Sequence, residues 1–412
     1  MTVISAATSN TMSTKQSNVR RTAPLVLYIG DPPPEETFET PSLLFRTLQA
    51  FPASEIAVCY RKDYPRRGGP RLDGVMYHEY LGPSAPMVFP TRFGVKALAR
   101  LLSARFSVPR KLRRLANSLA PSTIVTVAHG LGCLTATNLA RSLDVPLHLI
   151  IHDDWSEYSA GLSPRLRRLA DMMFGYVYRS ATHRWAISDY MAEEMRLRFK
   201  RESDVLYPIR PRNAHAWEKK SEPRRTSTGP IVVYAGTVWG AYSDSIEMLA
   251  ASVASSNGNV LVYTDTRHAA AECGRLAMSP NIEIRNAVPV ERLVTELRGC
   301  ADILFLPMSF APDSHRLSFP SKLTVYTMTG LPIIVFGGPD CSAAKWACAY
   351  PGTAVVVSSR DEKALSDAVG ELWKDPDRRV HIGHRASIVG DALFDWESNS
   401  ARFAKMVRNG DN

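Results

Sequence analysis

Short apolar runs that stop at a glycine or a polar residue recur along this chain, and a stretch of helical length follows most of them. In the first half the runs are Pro24 to Ile29, Glu55 to Tyr60, Gly74 to Tyr80, Ser122 to Ala128, Pro146 to Ile151, Thr182 to Ile187 and Asp204 to Tyr207. In the second half they are Pro230 to Ala235, Asn259 to Thr264, Asn281 to Arg285, Ala301 to Pro307, Pro332 to Phe336 and Ala354 to Val357. Most are apolar at nearly every position rather than at alternate ones. Strands buried on both faces read this way, and they belong to parallel sheets covered by helices. The expected fold class is α/β, with ligands docking beyond the carboxyl ends of the strands.

The alternation breaks once. Residues 208–229 lose periodicity and are rich in Pro, Lys, Arg and Ser, which reads as a linker. A chain of 412 residues suits two domains, each with its own core. The expected boundaries are 23–207, then the linker 208–229, then 230–391, with 392–412 as a closing helical segment. Residues 1–22 are rich in Ser and Thr and contain no acid. They lack the apolar core of a secretory signal and read as a disordered tail. No apolar run approaches the ~18 residues that span a bilayer. The six cysteines form no C-x-x-C pair, which fits reduced thiols in a cytosolic protein.

The charge is lopsided. Residues 1–229 carry 33 Lys and Arg against 20 Asp and Glu, while residues 230–412 carry 17 against 20. Such asymmetry points the first half at an anionic partner: a membrane surface, a lipid diphosphate or nucleic acid. No nucleic-acid motif accompanies the charge, and nucleic acid is set aside. Two basic amphipathic stretches carry much of it, Thr91 to Ala120 and Leu162 to Ser180. Helices of that kind pack an apolar face on a sheet, lie in a membrane interface, or do both.

The segment 317–336 says most about chemistry. Ser318-Phe-Pro-Ser-Lys322 opens a short helix, Gly330 closes it, and Ile333 to Phe336 is a strand. Pro320 suits a first helical turn. The amides of Ser321 and Lys322 would stand at the positive end of the helix, beside the Lys322 charge, where a diphosphate can dock. The local alternative is a plain connection with a solvated lysine.

This segment resembles the nucleotide-sugar-binding region of GT-B glycosyltransferases, especially the family 4 type. So do Gly352 to Val357 with the helix 361–372, the helix after Lys374-Asp-Pro376, and the closing Phe394-Asp-Trp396 with its last helix. The resemblance covers most of the chain from about Ala23, strongly in 230–408 and loosely before Pro121. It implies two Rossmann-like domains whose parallel sheets face a central cleft, with the last helix crossing back to the first domain. It implies transfer of a hexose from a nucleoside diphosphate sugar to a saccharide or lipid-linked acceptor, with retention and without a metal or other cofactor. The setting implied is cell-surface polysaccharide biosynthesis, in the cytoplasm or peripherally on the inner face of the membrane.

The expected site follows from strand ends and from that resemblance. His129, at the end of Ile124 to Ala128, matches a histidine that touches the donor sugar. His152, Asp153 and Asp154 end the next strand. One of the acids binds an acceptor hydroxyl or acts as base, and His152 stands on the acceptor side. Gly30 and Asp31 lie where an acceptor docks, although Pro32-Pro33-Pro34 replaces the small glycine loop of the family. On the donor side stand Gly236, Thr237, Tyr263, Arg316, Ser318, Ser321 and Lys322. A His-Asp-Asp run can signal a metal, but none is expected here.

The chain departs from the family in two places. Two glutamates eight apart are replaced by Leu317 and Val325. The cations that grip the diphosphate after the Gly236 turn are missing from Val238 to Tyr242, with Lys322, Arg316 and His315 as candidate substitutes, and Asp313 is the candidate for the missing carboxylate. A catalytically inactive GT-B protein that binds a sugar nucleotide or a partner enzyme is therefore the second reading, and a sugar-nucleotide 2-epimerase the third.

Overall fold

A computed structural model describes residues 25–37, 39–65, 68–82, 99, 102–155, 163–214, 228–310 and 316–409. The expected tail, most of the linker, much of Thr91 to Ala120, and Asp313 and His315 lie outside the described residues.

The apolar runs form two parallel sheets. The first holds β1 (Val26–Gly30), β2 (Ile56–Arg61), β3 (Met76–Tyr80), β4 (Thr123–Val127), β5 (Leu147–Ile151), β6 (His183–Ala186) and β7 (Asp204–Val205). Their spatial order is β3-β2-β1-β4-β5-β6-β7. The second holds β8 (Ile231–Ala235), β9 (Asn259–Thr264), β10 (Ile282–Asn286), β11 (Ile303–Pro307), β12 (Ile333–Phe336) and β13 (Val355–Val357), in the order β10-β9-β8-β11-β12-β13. Every residue of β1, β2, β4, β5, β11 and β12 is buried, because helices cover both faces.

Both sheets are wound the same way. The chain leaves the central strand in one direction and returns to its other side, between β1 and β4 and again between β8 and β11. At such a reversal the loops after the two neighbouring strands diverge and leave a crevice. His129 follows β4, Gly236 follows β8 and Met308 follows β11, so the two crevices supply residues to one cleft.

The helix Trp396–Asn409 packs back on the first sheet. Phe403 sits edge-on to Phe51 and Trp185, with ring centroids 6.1 and 5.1 Å apart. Trp396 Nε1 donates to the Arg46 carbonyl at 3.0 Å, and Arg408 pairs with Glu55 at 2.9 Å. The basic stretch Leu162 to Ser180 becomes the helix Pro164–Ser180, which buries Met173 and Phe174 but leaves Met172 67% exposed. Its apolar triplet therefore splits between the core and the solvent. All six cysteines are unbridged.

Candidate functional site in the cleft between the sheets

The cleft has a volume of about 500 Å3 and is walled by strand ends of both sheets. A second cavity of about 470 Å3, by Arg210, Asp391 and Trp396, contains no strand-end residue and is not the better candidate.

The second-sheet wall is built around Gly236, which has φ +153. A Cβ there would lie 2.2 Å from Lys322 Cε, so the lysine stem crosses the bare backbone of the turn. Its ammonium lies 5.4 and 5.0 Å from the ring centroids of Tyr234 and Tyr242. Those electron-rich faces hold a cation in place without neutralising it. Lys322 is half-buried, where the sequence alone allowed a solvated lysine. Tyr326 fastens this wall: its hydroxyl accepts from Ala235 N at 2.8 Å and donates to Phe305 O at 3.2 Å.

The helix behind Lys322 is shorter than its sequence implies. It spans Lys322–Tyr326, with Ser321 as its cap and Pro320 just outside. The Leu323 and Thr324 amides already donate to Pro320 O and Ser321 O, at 3.0 and 3.1 Å. One turn has little dipole to offer an anion, so the charge of this wall rests on Lys322.

Tyr263 and Thr264 line the same wall, with Asp265 and His268 beside them. The Tyr263 hydroxyl accepts from Arg285 at 2.9 Å, and burial pushes it up to about 12. Asp265 Oδ2 and His268 Nδ1 are 2.7 Å apart. Ala287, Val288, Val290 and Leu293 supply an apolar floor next to them.

The first-sheet wall brings in His129, His152 and Asp153. His129 stands edge-on to Tyr64, with ring centroids 6.0 Å apart. His152 is 6% exposed, and its Nδ1 has no hydrogen-bond partner among the described residues. Burial pulls its pKa down to about 4, Asp153 opposes the shift, and His129 adds to it. Asp153 Oδ1 accepts from the Ser318 hydroxyl at 2.7 Å, a bond that joins the two walls.

The structure brings together His129, His152, Asp153, Gly236, Thr237, Tyr263, Ser318, Ser321 and Lys322. Four expected residues do not line the cleft. Asp154 is paired with Arg198 at 2.8 Å. Arg316 is held by Glu194 at 3.1 Å and by the Tyr190 hydroxyl. Gly30 and Asp31 lead into a buried proline loop, whose Pro32 and Pro34 carbonyls accept from Tyr28 and Tyr77 at 2.8 and 2.6 Å. Asp31 pairs with Arg61 at 2.9 Å and accepts from Leu131 N at 3.1 Å. Burial still pushes its carboxyl up to about 6, with Arg61 opposing.

Sequence reasoning missed Thr40, Ser42 and Arg46, on the helix Glu39–Leu48, which line the first-sheet wall. The available signal was a lone arginine inside the apolar run Leu43-Leu44-Phe45 to Leu48. At the two positions where the family resemblance expects glutamates, Leu317 is buried at 2% exposure and Val325 lines the cleft. Among the described residues, no cluster of three or more His, Cys, Asp and Glu side chains is placed to hold a metal ion.

Comparison with known proteins agrees with this geometry. The family model described as a glycosyl transferase 4-like domain matches residues 44–207, in the half whose motifs looked looser. Among solved structures the chain is similar to Anabaena HepE in complex with UDP and glucose: 11% identity, TM-score 0.64, covering 94% of this chain and 100% of that one. It is similar to the sucrose-phosphate synthase of Thermosynechococcus elongatus, at 14% identity and TM-score 0.63, over 94% and 98% of the two chains. It is also similar to WaaG, a glycosyltransferase involved in lipopolysaccharide biosynthesis, at 15% identity and TM-score 0.58, over 94% and 100%. No curated protein matches the sequence. The fold is GT-B, with two Rossmann-like sheets, and the match to the glycosyl transferase 4-like domain covers residues 44–207 of the chain.

Proposed function

We propose that this chain is a hexosyltransferase that moves a sugar from a nucleoside diphosphate sugar to a saccharide or lipid-linked acceptor, in the building of a cell-surface polysaccharide. The observation that carries the reading is one cleft in which Lys322 crosses the Gly236 turn on one wall and His129, His152 and Asp153 stand on the other. The similar structures add UDP-glucose as the first donor to try.

Each residue has a task that its surroundings explain. Loss of the sugar leaves negative charge on the diphosphate, and Lys322 supplies the opposing charge without a metal. Gly236 lets backbone and lysine approach the phosphates together. His152 stays neutral at physiological pH, so its ring offers one donor and one acceptor to sugar hydroxyls. His129 lies beside it and takes a second hydroxyl. Asp153, oriented by Ser318, accepts from the acceptor hydroxyl. Transfer proceeds with retention, as the family resemblance implies.

Thermal-shift screening against UDP-, GDP- and dTDP-sugars tests the reading, because a ligand that binds only the native state raises its stability. A shift with one nucleotide class is expected; no shift with any of them sinks the proposal. His129→Ala should then lower turnover while nucleotide affinity stays nearly intact.

Leu317 and Val325 favour a second reading, a non-catalytic protein that binds a sugar nucleotide. Release of free sugar from a bound nucleotide sugar separates the two, since only the enzyme turns it over.

The first half also fits an anionic membrane surface. Phe106 and Met172 are 75% and 67% exposed, and Arg165, Arg167 and Arg168 are exposed on the helix that carries Met172. The Arg105 guanidinium lies 3.7 Å from the Tyr176 ring centroid of that helix, which places the two apolar tips on adjoining elements. Binding to anionic vesicles should fall steeply as salt rises. Binding that ignores salt removes this part.

A further inference from the structure

The residues of the proposed mechanism leave one charged side chain of the cleft without a task. Arg46 projects from the helix Glu39–Leu48 into the first-sheet wall, next to Thr40 and Ser42. It is only 7% exposed. Its Nη1 donates to the Ile209 carbonyl at 3.3 Å, and its buried Nε has no partner among the described residues. No carboxylate whose side chain is described pairs with it. The other two buried arginines among the described residues are both neutralised, Arg61 by Asp31 and Arg210 by Asp391.

A guanidinium buried without a counter-charge is costly, and a fold keeps one where something else supplies the charge. Burial accordingly lowers the Arg46 pKa, and Glu36 only partly opposes this. Arginine has donors and no acceptor, so what completes it must bring acceptor oxygens and negative charge. The Ser42 hydroxyl is also buried and without a partner, and offers the same ligand one more donor. A carbohydrate hydroxyl would leave the charge unmet. A phosphate group meets both needs, and the planar guanidinium matches its geometry.

We propose that Arg46, with Ser42, forms a phosphate-binding subsite on the first-sheet wall, opposite Lys322. This rests on the reading of the cleft as a nucleotide-sugar site. The phosphate comes either from the donor diphosphate, spanned between Arg46 and Lys322, or from a phosphorylated acceptor.

The test uses the whole chain and two variants, Arg46→Met and Arg46→Lys, titrated calorimetrically with UDP, uridine, inorganic pyrophosphate and inorganic phosphate. A donor source predicts that Arg46→Met weakens UDP and pyrophosphate by about ten- to a hundredfold, the scale of a hydrogen bond to a charged group. Uridine binding should stay unchanged and Arg46→Lys should recover part of the loss. An acceptor source predicts unchanged UDP affinity, but loss of phosphate binding to the UDP-saturated protein. Either result supports the subsite. Arg46→Met should melt no lower than the wild type, since it removes an uncompensated charge. A variant that melts lower and binds every probe as before would make Arg46 a structural prop of Ile209 and overturn the proposal. Wild-type protein that binds neither phosphate nor pyrophosphate overturns it as well. Wild type that takes pyrophosphate through Arg46 but ignores UDP would sink the nucleotide reading and leave the subsite standing.

Discussion

The central strands of the two sheets end in the same local pattern and come to opposite uses. Tyr28-Ile29-Gly30-Asp31 ends β1, and Tyr234-Ala235-Gly236-Thr237 ends β8. In both, the tyrosine hydroxyl donates to a carbonyl just beyond the glycine, Pro32 O at 2.8 Å and Thr237 O at 2.5 Å. In both, a Cβ on the glycine would lie 2.2 Å from another side chain, Tyr28 Oη in one and Lys322 Cε in the other. After Gly30 comes a buried aspartate, neutralised by Arg61 and followed by three buried prolines. After Gly236 comes an exposed threonine, with a lysine stem lying across an open cleft. One turn is closed into a structural clamp, and the other is kept as a binding wall in the reading proposed above. On that reading the difference is whether the charge beside the glycine is used within the protein or offered to a ligand.

Breaking the closed end should have the larger effect. Asp31→Ala removes the Arg61 partner and the acceptor for Leu131 N, and leaves a 7% exposed guanidinium with only the half-exposed Asp63. Breaking a buried pair on one side costs on the order of 3 kcal/mol or more. Urea unfolding of the variant should show that loss. Nucleotide affinity, measured where the variant is still folded, should be unchanged. An equal stability for wild type and variant would mean that the clamp contributes nothing.

Lys322→Ala breaks the open end. Here the loss should appear in binding, by about 1.5–3 kcal/mol for a nucleoside diphosphate, the range for hydrogen bonds to charged groups. Melting of the ligand-free protein should barely move, since the ammonium lies on tyrosine faces worth on the order of 1 kcal/mol. Calorimetric titration decides it. Unchanged affinity in a folded variant would shift the diphosphate away from the Gly236 turn.

Much of this frame was readable in the sequence. Strand limits read from the apolar runs agree with the structure to within two residues, because strands covered on both faces are apolar throughout and stop where the backbone emerges. His129, His152 and Gly236 were legible for the same reason, as the first polar or flexible residues after such strands. What the sequence could not reveal is which strand-end charges are already spent. Asp154 meets Arg198 from 44 residues away, and Arg316 meets Tyr190 from 126. Neither pairing has a local signature, so paired and unpaired charges look alike in one dimension. Arg46 was hidden differently. An arginine in an amphipathic helix reads as a solvated face, and only the packing of Trp396 and Ile209 around that helix buries it.

The smallest expected effect, and the one that extends the comparison beyond the two turns, is in pH. The buried groups with marked shifts below neutrality, Asp31, His148 and His152, all lie in the first half. His148 stacks on His183 at 4.6 Å within the sheet and is pulled down to about 3 by burial, with the His183 charge adding to the shift. A depressed histidine stays neutral in the folded chain, while the unfolded chain takes a proton below about 6.5. Its contribution is therefore fully present above that pH and is lost as pH falls toward the folded value. His148 and His152 act together, each removing somewhat under ~1 kcal/mol between pH 7 and 6. Asp31 runs the other way: its carboxyl is raised to about 6, so its term favours the folded state below about 4 and is lost as pH rises through 6. The histidines outweigh it between pH 7 and 6, and the protein should lose stability on mild acidification. His148→Phe keeps a flat ring against His183 and cannot take a proton, so it should remove about two-thirds of that loss. Melting temperatures of wild type and variant across this range are the measurement. Parallel pH profiles would place the acid sensitivity outside the first sheet.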